Sequence, residues 1–359
     1  MTGKTPQDIL KESALRTGLS WRMEPFATGA GLTERLAARP FLMAPMAGVS
    51  NAAYRIMARA GGAALAYSEM VSVAGLCFGA AKSWELVLPK DPEPDLAVQL
   101  FGAKPDQFQK AAKLVASRLA SRLVLLDINM ACPVPKVTRK GEGSALMDDP
   151  ARAYEIVVAC RRGVSEAAAE LGTAPVPVTC KIRRGIKGGK ELAPVFAEAM
   201  EEAGAAAIAV HGRFADQLYQ GQADWGVIAR VASAVSIPVI ASGDIFDAER
   251  ANLVLNETGA AVAMIARGSY GNPWIFGDAE RIRKGEAAPV HSLRQRLAAL
   301  ACHVRLLDAT GAHIVRARSL AGWYLKGIPD AAHWRDVAMH CKTTGEFLAM
   351  VEAIAKELS

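Results

Sequence analysis

Apolar and small-residue runs recur along the chain at intervals of a few tens of residues, over 41–44, 65–67, 96–100, 123–128, 176–180, 206–210, 238–241 and 261–265. Each is short and bounded by turn residues, and none alternates strictly, the pattern of a parallel strand covered on both faces. Between them, 106–120, 151–162, 192–203 and 225–235 place apolar residues at helical spacing. Eight strand–helix units over 39–288 predict an α/β fold, a (β/α)8 TIM barrel. An open doubly wound sheet fits less well, because no GxGxxG follows the first run. Residues 1–38 read as a short helix and an irregular lead-in. From 289 to 359 the pattern is helical only, punctuated by Gly311, Gly327, Pro329 and Gly345, which predicts a second, all-helical domain.

In such a barrel the strand C-termini build one shared site, so the residues delivered there carry the functional signal. After the first run come Pro45, Met46 and Ala47, a backbone-shaping segment suited to lie along a flat ring. The third run carries Gln99, a buried amide that needs partners. The fourth delivers Asn129 and then Cys132 into a loop broken by Pro133 and Pro135 and crowded with Lys136, Arg139 and Lys140. A cysteine in that setting is a nucleophile or a proton donor rather than a small hydrophobe. The fifth run ends at Lys181 and Arg183, the sixth at His211, the seventh at Ser242, Gly243 and Asp244, and the eighth at Ala266 and Arg267.

Loops seven and eight of a barrel commonly cradle phosphate with backbone N–H groups, and Arg267 adds charge there. A lysine and a glutamine facing such a cradle suit a flat electron-accepting ring with a phosphorylated tail, which is flavin mononucleotide (FMN). Lys181 would stabilise negative charge on the reduced ring, and Cys132 would supply a proton across the substrate.

Charge and cysteine usage narrow the setting. A net charge of +6 and a pI near 9.0 make an anionic partner plausible. Bases outnumber acids in the helical tail, and every histidine except His211 lies there, so an RNA-facing surface is one reading and a solvated face the other. Six cysteines without CxxC spacing argue for a reducing cytoplasm, with no disulfide framework and no metal site. Neither the mixed-charge N-terminus nor any later stretch has the ~18 apolar residues of a membrane span.

These residues also resemble the tRNA-dihydrouridine synthase family. APMAGVSNAAYR (44–55), SEM (68–70), VQLFG (98–102), DINMACPVPKVTRKGEGSALM (127–147), KIRRG (181–185), HGR (211–213), IPVIASGDI (237–245) and MIARGSYGNPWIF (264–276) follow its signatures in order. The tail, with Arg318 and WYLKG (323–327), is similar to its helical RNA-binding domain, and the bacterial B subgroup is nearest. The resemblance implies FMN-dependent reduction of the uracil 5,6 double bond in tRNA, with NADPH as hydride donor. Pro45, Met46, Ala47, Gln99, Lys181 and His211 would then surround the flavin ring, and Ser242, Gly243, Asp244, Ala266 and Arg267 its phosphate end. Cys132 would be the general acid and Asn129 a uracil contact. Arg139, Lys140, Arg183, Arg316, Arg318 and Lys326 would meet tRNA. The chain departs from the common pattern at Ala131, Ser242 and Ala266, where the family has Gly, Asn and Gly. A flavin reductase acting on a free pyrimidine and an RNA-binding protein without chemistry stand as alternatives, and removal of 290–359 would separate the first from tRNA reduction.

Overall fold

A computed structural model describes residues 3–26 and 31–358. Eight parallel strands form one sheet: β1 (Phe41–Met43), β2 (Tyr67–Ser72), β3 (Leu96–Phe101), β4 (Leu123–Met130), β5 (Val178–Gly185), β6 (Ile208–Phe214), β7 (Val239–Ser242) and β8 (Val262–Ile265). β1 pairs with β8, and a parallel bridge from Met43 to Ala66 joins β1 to the approach to β2, closing the ring. Helices cover its outside, so the strands are buried on both faces, which explains their continuous apolar runs. The architecture is therefore the expected TIM barrel with a C-terminal helical region.

The expected elements differ from the observed ones where polar residues or glycine interrupt a pattern. β2 starts where an apolar run 65–67 stops and continues through Ser68 and Glu69. Ser68 Oγ donates to the Glu69 carbonyl and accepts from Gln99 N–H, so these polar groups are satisfied inside the sheet. The helix expected over 151–162 runs as Pro150–Leu171. Gly163 does not end it: a Cβ there would lie 2.2 Å from the Gln109 carbonyl oxygen, so glycine lets this helix approach Pro105–Leu119 closely. The helix stops at Gly172, in the left-handed region at φ 65°.

Two buried ion pairs anchor the helix Ala52–Ala60 to the segment before β3: Arg55 to Glu93 at 2.7 Å and Arg59 to Asp95 at 3.0 Å. Of the lead-in 1–38, residues 1, 2 and 27–30 lie outside the described residues. Its helix Pro6–Thr17 packs on Leu293–Ala309, and the Thr17 carbonyl accepts from Trp274 Nε1 at 2.9 Å. The chain's two ends thus meet beside the barrel.

The helical region also touches the turns after β8. The Trp323 ring stacks on Tyr270 with centroids 3.9 Å apart, and Tyr54 Oη and Ser269 Oγ are hydrogen-bonded at 2.8 Å. Gly271 has φ 66°, and a Cβ there would come within 2.7 Å of the Trp323 carbonyl group. Gly271→Ala is therefore expected to destabilise the protein by about 2 kcal/mol or more through backbone strain and overlap. An unchanged denaturation midpoint would mean the turn relaxes freely.

Candidate functional site

Side chains alternate across a strand with period two, and the odd-numbered residues of β3 to β6 point into the barrel. Gln99, Asp127 and Thr179 form an inner layer. Asn129 and Lys181 share the next row, and Arg183, His211 and Ser242 the row after that. Strand register sets the neighbours: Gln99 pairs with Asp127, Asn129 with Lys181, Arg183 with His211 and His211 with Ser242. Lys181, Arg183, His211 and Asn129 sit within strands, which holds them rigidly.

These residues converge on a cavity of about 390 Å³, within the ~300–1,000 Å³ range of small-molecule sites. Pro45, Met46, Ala47, Gln99, Asn129, Cys132, Lys181, Arg183, His211, Ser242, Gly243, Asp244, Ala266 and Arg267 all border it. Met70, Tyr219, Phe246 and Tyr270 border it too, and sequence reasoning missed them. Exposed aromatics in polar loops were the available signal for Tyr219 and Phe246, which are 62% and 48% exposed.

Electrostatics in the cavity are one-sided. Among the described residues no carboxylate lies within ion-pair distance of Lys181 or Arg183. Burial, reinforced by the Arg183 charge, pulls Lys181 down to about 8. Burial first, then Lys181 and the surrounding arginines, holds His211 well below 6.5, so its imidazole is neutral. Its Nδ1 is buried without a hydrogen-bond partner. A cavity with unpaired cations and an orphaned ring nitrogen fits a ligand with anionic and hydrogen-bonding edges, as FMN has.

Cys132 is partly buried. Its N–H donates to Asn129 Oδ1 at 2.9 Å and its carbonyl accepts from Ser144 N–H at 3.0 Å. Burial raises the thiol above its ordinary value, against a backbone N–H and the charges of Arg183 and Lys181. The thiol therefore keeps its proton at neutral pH, which suits an acid rather than a nucleophile.

Several expected roles change on inspection of partners. Arg183 is only 4% exposed, and its donors reach the carbonyls of Ala131, Phe214 and Leu218. It straps the Cys132 loop to the loop after β6. The Asp244 carboxylate is committed to Arg213, to Ala223 N–H and to Arg267, so its charge orients Arg267 instead of meeting an anion. Arg267 is further held between the rings of Tyr219 and Phe246, at 4.8 and 5.1 Å. At Gly243, φ is 116° and a Cβ would meet Ala223 and the His211 ring, so packing as well as backbone conformation requires glycine. Neither Ala131 nor Ala266 has a positive φ, although Ala266, at φ −108° and ψ −100°, lies outside the main α and β regions.

In the tail, Arg316 donates to the Gly48 carbonyl at 2.6 Å and pairs with Glu69 at 3.4 Å, docking the tail on the turn after β1. Arg318 donates to the Cys341 carbonyl within the tail. Lys326, Arg139 and Lys140 are exposed.

The family model for dihydrouridine synthase (Dus) matches residues 42–359. The tRNA-dihydrouridine synthase B of Xanthomonas axonopodis pv. citri is 38% identical over 316 residues, 86% of this chain and 90% of the relative. Its counterpart in Shewanella oneidensis is 36% identical over 321 residues, 88% of this chain and 95% of that one. A probable tRNA-dihydrouridine synthase 1 of Synechocystis is 36% identical over 300 residues, 82% of this chain and 80% of that one. With likeness of this depth running through barrel and tail alike, the chain belongs to the dihydrouridine synthase family, alongside its bacterial B-type members.

Proposed function

We propose that the chain is a tRNA-dihydrouridine synthase that reduces the 5,6 double bond of uridine in tRNA, with bound FMN and with NADPH as the hydride source. The observation that carries this reading is that Cys132 shares one cavity wall with Lys181 and His211, where burial favours a protonated thiol and a neutral imidazole. Pro45, Met46, Ala47, Gln99, Lys181 and His211 would border the ring of FMN, and Ser242, Gly243, Ala266 and Arg267 its phosphate. When bound, FMN supplies hydride to one carbon of the uracil double bond.

The protein's own contribution is proton delivery and orientation. Cys132 gives its thiol proton to the neighbouring carbon, and the thiolate left behind is stabilised by Arg183 and Lys181 before solvent reprotonates it. Lys181 and His211 line the same cavity, the lysine as a positive charge and the imidazole as a neutral hydrogen-bonding group. A stacked base cannot enter a cavity enclosed by barrel strands, so the target uridine leaves its stack to react. Tyr219 and Phe246 at the rim offer apolar faces to it or its neighbours. Free thiols at all six cysteines suit a reducing cytoplasm, where tRNA is found.

The test is direct. The purified protein should show a flavin absorption spectrum, and tRNA incubated with it and NADPH should yield uridine heavier by one dihydrogen. A flavin-bearing protein that leaves tRNA unchanged but reduces a free pyrimidine would overturn the reading.

Truncation of 290–359 is a poor discriminator, because Trp323 and Arg316 support the turns that line the cavity. Lys326→Glu is cleaner, since its side chain is exposed at the tail's surface. The variant is expected to weaken tRNA binding several-fold and to reduce the salt slope of log Kd by about 1, with FMN content unchanged. Unaltered binding across a salt series would make Lys326 part of a solvated face.

A further inference from the structure

Beneath the cavity, a polar chain crosses the barrel floor from β5 to the Cys132 loop. Thr179 Oγ1 donates to Asp127 Oδ1 at 2.6 Å, and Gln99 Nε2 donates to Asp127 Oδ2 at 2.7 Å. Asn129 Nδ2 donates to Gln99 Oε1 at 2.7 Å. Asn129 Oδ1 accepts the N–H groups of Ala131 at 3.2 Å and Cys132 at 2.9 Å. Asp127, Gln99 and Thr179 are each 1% exposed, and Asn129 is 5% exposed.

Two groups that cannot exchange roles bound this chain, the accepting carboxylate of Asp127 at one end and the donating N–H groups of Ala131 and Cys132 at the other. An amide can present either oxygen or nitrogen to a neighbour, so Gln99 and Asn129 have no orientation of their own. An ionised carboxylate only accepts. Asp127 therefore draws the Gln99 nitrogen toward itself, which turns the Gln99 oxygen to Asn129. That in turn leaves the Asn129 oxygen for the two backbone N–H groups of the Cys132 loop. Were Gln99 reversed, Asn129 would aim its N–H donors at those backbone donors, and the loop would lose its anchor.

We propose that Asp127 is a positioning residue for the reaction: it acts through Gln99 and Asn129 to hold the loop that carries Cys132 and to orient the amide facing the flavin. The proposal rests on the proposed function for its catalytic consequence and on geometry alone for its structural one. It also reassigns Asn129, whose side-chain oxygen is spent on the loop. A carboxylate buried in an apolar barrel is costly to keep, and a leucine would fill the same space; the polar direction it imposes is the compensating use.

The experiment compares Asp127→Leu with Asp127→Asn in the full-length, FMN-loaded protein. Leucine removes the acceptor at similar volume. With the Ala131 and Cys132 N–H groups fixing the far end, asparagine turns its oxygen to Gln99 and its N–H to Thr179 Oγ1, so the direction survives without the charge. Hydrogen exchange at the Ala131 and Cys132 amides, read by NMR or fragment-resolved mass spectrometry, is expected to quicken roughly tenfold or more in Asp127→Leu. Amides of β7 should be unaffected. In the same variant kcat on tRNA is expected to fall about 10²-fold with little change in KM, as a misplaced acid does, and Asp127→Asn should restore both readouts. Gln99→Met cuts the chain one link later and carries the same exchange expectation, so a folding failure of Asp127→Leu leaves the question decidable. Undisturbed Ala131 and Cys132 amides, or an Asp127→Asn as damaged as Asp127→Leu, would overturn the proposal. Wild-type protein that makes no dihydrouridine would instead overturn the function, since the exchange result needs no turnover.

Discussion

Cys132→Ala is expected to lower uridine reduction by ~10²–10⁴-fold while FMN binding and its reduction by NADPH stay at wild-type levels. The effect follows from what the thiol does and does not touch. The loop is held by the Cys132 backbone, its N–H to Asn129 and its carbonyl to Ser144, while the sulfur takes only the adjacent Val134 N–H. Removing the sulfur therefore removes a proton donor and leaves the loop in place. Cys132→Ser supplies a hydroxyl in the same position, but a weaker acid, and should fall between the two. Single-turnover measurements decide the matter. Oxidation of the reduced flavin by tRNA should slow in Cys132→Ala while the preceding reduction by NADPH does not, and a wild-type rate of tRNA reduction would remove Cys132 from the chemistry.

Lys181→Met should separate stability from activity. Burial, reinforced by Arg183 and only partly offset by Asp127 and Cys132, pulls the lysine to about 8 against 10.5 unperturbed. Because the folded-state value is depressed, the penalty is fully present at pH 7 and is relieved as pH rises from about 8 to 10.5. For the FMN-free protein that amounts to on the order of 2–3 kcal/mol, allowing for partial exposure of the side chain. Lys181→Met is expected to regain much of it at pH 7, raising the urea midpoint, and the advantage over wild type should shrink above pH 8. Uridine reduction should fall at the same time, because the positive charge beside the cavity is lost. A variant less stable than wild type at pH 7 would show that the lysine is compensated in the folded protein. Sites that carry unpaired charge for a ligand commonly trade stability in this way.

Much of the site was legible because barrel strands follow simple rules. Runs buried on both faces marked all eight strands, and the polar residues that broke those runs, Gln99, Asn129, Lys181 and His211, proved to line one cavity. A polar side chain inside a continuous apolar run is costly unless it meets a partner or ligand, so its presence is informative without a structure. β2 was placed early because Ser68 and Glu69 look like a turn until their partners, Gln99 and Gly48, are known. The helix runs on past the expected 162 because Gly163 serves close packing against the neighbouring helix, where a side chain does not fit.

The roles of the arginines were not legible at all. Arg183, Arg316 and Arg318 share a residue type and a basic context with the exposed Arg139, Lys140 and Lys326. Only their partners distinguish a strap, a dock for the helical tail and an internal brace from a surface charge, and those partners lie 23 to 268 residues away along the chain. Cys132 is similar: its basic sequence neighbours suggest a lowered value, whereas burial in the folded loop raises it.

By itself the sequence determined the barrel, the order of its site residues and the family, because alternation, turn residues and short motifs are local and survive without knowledge of neighbours. The tertiary structure alone decided which cations are unpaired, which way the buried amides point and that Cys132 retains its proton. Desolvation and hydrogen-bond direction depend on groups brought together from distant strands, and no local pattern encodes them.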